Sequence, residues 1–164
     1  MLIDQYDRLA PDTHDPATVA ARISPFREDF AATTRRFVAA LFGPGADPDL
    51  VERVADDMAA ARPGPAVAAL AHTWRHEPRF AAAVAALDAP VVTINRAEPP
   101  PDEASLARYG IATRTLAGVG HFPMLEDPDG FNRLLTEVLA GFATSSLDGG
   151  TRSAPSRIFG TDSR

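Results

Sequence analysis

The chain contains no cysteine among its 164 residues, so neither a disulfide framework nor a thiolate metal site can organise it. Positive charge is in short supply: 16 Lys and Arg face 22 Asp and Glu, a net charge of −6. Nucleic-acid binding through phosphates needs clustered cations, so none is expected. No apolar run approaches the ~20 residues that cross a bilayer. The opening residues Met1–Asp7 lack both the basic start and the apolar stretch of a signal peptide. No membrane association is expected, and the default location is cytoplasmic. Internal repeats are also missing. What remains is 45% hydrophobic and 23% charged, a globular balance in a chain long enough for one domain with a real core.

Residues 1–3 are apolar and end in Asp4, which suits a very short strand. From Pro11 to His76 the pattern is helical, broken at Gly43-Pro-Gly45 and Pro63-Gly-Pro65, without β signal. Phe30, Thr34, Phe37, Val38, Leu41 and Phe42 form one stripe at helical spacing. Asp47 and Pro48 read as N-cap and first-turn proline of a helix that turns Leu50, Val51, Val54 and Met58 inward. Val67, Leu70, Ala71 and Trp74 make the next stripe. A separate alanine-rich helix is predicted from Pro78 to Leu87, with Phe80, Val84 and Leu87 inward.

The grammar then changes. Val91–Ile94 is β-branched without alternation, as in a strand covered on both faces. Asp102 can cap a short helix reaching Tyr109, and Ile111–Leu116 is a further strand. Asp127 and Pro128 open the cleanest amphipathic helix, with Phe131, Leu134, Leu135, Val138, Leu139 and Phe142 on its stripe. Alternating helices and strands from 78 to 142 predict an α/β fold with a parallel sheet. From Thr144 the composition suits a disordered tail.

His121 is the leading candidate for chemistry. Gly118 and Gly120 can take backbone angles closed to other residues, so the chain can turn sharply on leaving the strand. That delivers the side chain to the carboxyl end of a parallel sheet, where open α/β folds bind ligands. A histidine base needs a carboxylate to set its tautomer and carry its charge. Glu98, just after the Val91–Ile94 strand, is the first choice, with Asp102 and Asp4 as rivals. His72 and His76 stand at i and i+4 and could share a metal, but Thr73 occupies the place of the zinc-protease Glu and a third ligand is needed. No metal and no cofactor are therefore expected. No serine lies in a G-x-S-x-G setting: Ser24 precedes a proline, Ser105 falls in a predicted helix, and the others follow Thr144.

These residues resemble the C-terminal half of an α/β-hydrolase with a helical cap. Ala117-Gly-Val-Gly-His-Phe-Pro-Met-Leu-Glu-Asp-Pro-Asp-Gly-Phe-Asn132 is similar to the segment carrying that family's catalytic histidine, and Val91–Pro99 to its penultimate strand and acid loop. The resemblance implies a partial α/β-hydrolase fold over residues 1–143: a three-stranded parallel sheet remnant from 1–9 and 77–143, with a helical cap over about 11–76 and a tail at 144–164. His121 would be the general base and Glu98 its orienting acid. The family's order places the nucleophile elbow and oxyanion-hole loop ahead of the cap, and neither is found here. Ester-type hydrolysis with little activity of the isolated chain is the implied function. The implied partners are an N-terminal hydrolase half, or a second copy, joined through an exposed strand edge, and a small hydrophobic substrate once complemented. The competing expectations are a non-catalytic binding or interaction module derived from a hydrolase, and a truncated product without function.

Overall fold

The computed structural model describes residues 1–4 and 15–147, with the side chains of 76–78, 81 and 144–147 excepted. The predicted tail beyond 147 lies outside the described residues. Among the described residues ten elements follow one another: β1 (Leu2–Ile3), α1 (Pro16–Glu28), α2 (Phe30–Ala39), α3 (Pro48–Ala59), α4 (Pro63–Ala85), β2 (Val91–Arg96), α5 (Glu103–Ala107), β3 (Ile111–Leu116), α6 (Pro123–Glu126) and α7 (Pro128–Leu147).

Aspartates start most of the helices. Asp15 accepts from Thr18 N, Asp29 from Ala32 N, Asp47 from Asp49 N, Asp102 from Ser105 N and Asp127 from Gly130 N. Each bond satisfies a first-turn donor that the helix itself leaves unpaired. Asp29 also ends α1, its backbone N–H donating to Pro25 O, so α1 and α2 meet at one residue without a loop.

The three strands form a parallel sheet in the order β1-β2-β3. Leu2 and Ile3 pair with Thr93 and Ile94, and β2 pairs with β3 from Val91–Ile111 to Arg96–Leu116. Alternation along β2 sends Val92 and Ile94 to one face and Val91 to the other. The first face packs with Ile3 and Leu116 against Phe131, Leu134, Leu135 and Val138 of α7. The second packs with Ile111 against Leu106 of α5 and Phe80 and Val84 of α4. Helices on both faces explain why β2 lacks apolar–polar alternation.

A third core lies in the helical layer, where Val19, Ile23 and Phe26 of α1 meet Val67 and Ala71 of α4. Here the structure departs from the sequence reading. The predicted boundary at Glu77–Pro78 is absent, and α4 runs on through position 78 as one helix of 23 residues. A proline inside a helix costs roughly 3 kcal/mol, but α4 is anchored at both ends. Its first half packs on α1, and its last turns pack on the sheet through Val84. The surrounding alanines favour continuous helix as well.

Three residues expected to face inward do not: Met58, Leu87 and Leu139 are exposed. In α3 the buried residues are instead Ala55 and Ala59, whose small side chains allow a neighbouring helix to approach closely. Leu87 lies past the end of α4, so helical spacing no longer governs it.

Ile94 is fully buried at the centre of the sheet. Ile94→Ala is expected to cost about 2–5 kcal/mol, read as a lower denaturant midpoint in urea unfolding. Leu139→Ala, on the exposed side of α7, should change the midpoint little.

Candidate functional site

The turn after β3 is built by two glycines used in different ways. Gly118 takes φ +76°, a left-handed conformation that other residues adopt at a cost. Gly120 has no such angle, contrary to the sequence reading, and is required by space. A Cβ there would collide with the Leu41 carbonyl and with the backbone of Phe42 and Gly43. The turn is thus pressed against the segment between α2 and α3, where His121 N donates to Leu41 O at 2.7 Å.

Glu126 locks this junction. Its carboxylate accepts from Gly120 N at 2.9 Å, from Phe122 N at 3.2 Å and from Gly43 N at 2.7 Å. One side chain, carried on α6, therefore satisfies backbone donors from both segments. The Phe42 and Phe122 rings stack beside it with centroids 4.8 Å apart.

The His121 ring is directed at β1. Its Nδ1 lies 2.9 Å from Asp4 Oδ2. A carboxylate can only accept, so Nδ1 carries the hydrogen and the neutral ring keeps its lone pair on Nε2. Among the described residues no side chain bonds Nε2. The imidazole is 37% exposed, whereas the Asp4 side chain is only 4% exposed.

Asp4 is held from three directions. Its N–H donates to Ile94 O at 2.8 Å, as the last bond of the β1–β2 ladder. Oδ1 accepts from Arg96 N at 3.0 Å, and Oδ2 pairs with Arg96 Nη1 at 2.5 Å. Its backbone takes φ +38°, a left-handed conformation that aspartate tolerates better than most residues. Burial pushes the carboxyl up, but the hydrogen bond from His121 and the N–H and charge of Arg96 outweigh it. The carboxyl is held below its ordinary range.

Of the acids proposed from sequence, the structure thus brings Asp4 to His121. Glu98 lies exposed two residues beyond the end of β2, where the chain has already turned toward the segment between α2 and α3. There it lines a cleft of about 220 Å³ with Arg96, Phe42, Gly43, Gly118 and Gly120. Asp102 is occupied in capping α5. His72 lies on α4 in the helical layer, and the His76 side chain falls outside the described residues, so the i, i+4 pair cannot be placed. No group of three or more His, Asp or Glu able to hold a metal occurs among the described residues. Sequence reasoning did not single out Arg96 or Glu126. Arg96 is the last residue of a strand, a position that can reach a neighbouring strand end; Glu126 accepts two local bonds, but its bond from Gly43 N comes from a segment 83 residues away.

Glu126→Ala is expected to leave three backbone donors without their acceptor and to cost about 1–3 kcal/mol. The local signature is faster hydrogen exchange at the amides of Gly43, Gly120 and Phe122. Asp4 generates a pH prediction. Its folded pKa lies below the unfolded value of about 3.9, so it adds stability above that pH and loses it as pH falls through the folded value. The stability difference between wild type and Asp4→Asn should therefore shrink as pH falls below about 4, as read by urea unfolding across pH.

No family model matches the chain, and no curated protein matches it. Solved structures do. An esterase from Thermogutta terrifontis, solved with malate bound, matches with a TM-score of 0.65 at 20% identity, over 86% of this chain and 55% of that one. A Burkholderia cenocepacia protein assigned as an aryl esterase matches with a TM-score of 0.55 at 20% identity, over 87% of this chain and 54% of that one. The chain spans about half the length of the structures it matches. Over that half, its three-stranded parallel sheet and flanking helices form a partial α/β-hydrolase-like fold.

Proposed function

We propose that this chain supplies the histidine and acid of an ester hydrolase site, with His121 as general base and Asp4 as the acid that orients it. The observation carrying this reading is the 2.9 Å contact from the buried Asp4 carboxylate to His121 Nδ1, with Nε2 left unbonded by any described side chain. A base so arranged takes a proton at Nε2 from an attacking hydroxyl and returns it to the leaving group, while the carboxylate carries the compensating charge. Arg96 and Glu126 act earlier in this chain of causes: the first holds Asp4, and the second holds the turn that carries His121.

The nucleophile comes from outside these 164 residues in this proposal, because no G-x-S-x-G segment is present and there is no cysteine. The β1 edge of the sheet is where a nucleophile-bearing segment would join, since among the described residues Leu2 and Ile3 pair on one side only, with β2. The helical layer α1–α4 would serve as the cap over the completed site. The missing nucleophile also favours a second reading, a binding module that keeps the hydrolase frame without the chemistry.

Hydrolysis of p-nitrophenyl acetate separates the two. The chain alone should be near background. Mixed with an α/β-hydrolase N-terminal segment carrying a nucleophile elbow, it should gain at least about a hundredfold. In that mixture His121→Ala should abolish the gain, and Asp4→Asn should lower it by roughly 10²–10⁴, the scale of losing a triad acid. Glu98→Gln should change it by less than about threefold, within the range of surface substitutions. Equal, null activity with and without the added segment sinks the hydrolase reading and leaves the binding module.

A further inference from the structure

A groove of about 740 Å³ runs along α4. Its floor is one face of the helix, set out at helical spacing by Gly64, Val67, Ala68 and Ala71, and its side wall is Phe26 and Phe30 at the α1–α2 junction. From Pro63 to Arg75 this face extends about 18 Å at 1.5 Å per residue. Small residues make the trough: neither Gly64 nor Ala68 fills the space above the helix, and a Cβ placed on Gly64 meets nothing within 4 Å.

The electrostatics of this trough run against those of the chain. Net charge is −6, yet among the described residues no Asp or Glu lines the groove, while Arg27, Arg75 and His72 do. Arg27 and Arg75 come from different helices and are exposed, and among the described residues neither pairs with a carboxylate. Elsewhere the guanidiniums of Arg35 and Arg96 are matched to Asp56 and Asp4. An apolar trough with unmatched guanidiniums on its rim is complementary to a ligand with an apolar body and one anionic end. Guanidinium binds carboxylate through paired N–H donors, which a neutral hydroxyl or ester cannot replace. The volume falls within the roughly 300–1,000 Å³ of small-molecule sites.

We propose that this groove binds a small amphipathic carboxylate, its chain lying along α4 between Phe26 and Ala68 and its carboxylate held by Arg27 and Arg75. The site is separate from His121 and stands whether or not the chain takes part in ester hydrolysis.

Trp74, the chain's single tryptophan, provides the readout, because it packs against the α1–α4 core beneath the groove with Arg22 over its ring at 5.8 Å. Titration of the full chain with octanoate should give a saturable change in its fluorescence, with a Kd at least tenfold lower than for 1-octanol. The double variant Arg27→Gln/Arg75→Gln should lose that preference. Ala68→Phe, which fills the trough and leaves the charges, should weaken both ligands at least tenfold. His121→Ala should leave both affinities unchanged. Circular dichroism reports whether each variant remains folded; Arg27, Arg75 and Ala68 are all exposed, so folding should be retained. Equal affinity for acid and alcohol, octanoate binding unaltered in the arginine double variant, or no saturable change with octanoate would each overturn the proposal.

Discussion

The site depends on one buried carboxylate. Asp4 lies at the end of a two-residue strand, and an ionised group so buried persists only if it is paired and hydrogen-bonded. Arg96 meets it from the end of the neighbouring strand, with a backbone N–H and a guanidinium. His121 meets it from the turn after the third strand. The need to satisfy that charge sets β1, β2 and the histidine turn at a common level. It also explains how so short a strand holds its place, and why an unusual backbone angle is tolerated at Asp4.

Glu126 does complementary work with backbone dipoles rather than charges. It draws N–H groups from the histidine turn and from the segment after α2 onto one carboxylate. Gly120 makes this close approach possible by having no side chain to obstruct it. The two acids together give His121 a fixed tautomer and a fixed position.

The helical layer is joined to the sheet more firmly than its composition suggests. α4 packs on α1 at one end and on β3 and α5 at the other, so one long helix belongs to both cores. A boundary drawn at residue 76 or 77 would cut that helix in two. The basic groove lies along the half nearer α1, supported by the same Phe26 and Val67 that build the helical core.

Local chemistry was legible in the sequence where it is decided within a few residues. Asp47 with Pro48 and Asp127 with Pro128 announce helix starts, because capping needs only an acceptor three residues or fewer from its donor. The β-branched run at 91–94 announces a covered strand, and Gly118 beside His121 announces the turn. The sequence alone also singled out His121 and contains neither a G-x-S-x-G segment nor a cysteine. It could not choose among Glu98, Asp102 and Asp4, since that choice depends on where three strand ends meet in space. Glu98 is nearest along the chain to the expected position, but Asp4, 117 residues before His121, is the one that reaches it. The continuity of α4 through Pro78 and the bonds of Glu126 to Gly43 were decided the same way. Burial and hydrogen bonding act between residues distant in sequence, and only the folded chain brings those residues together.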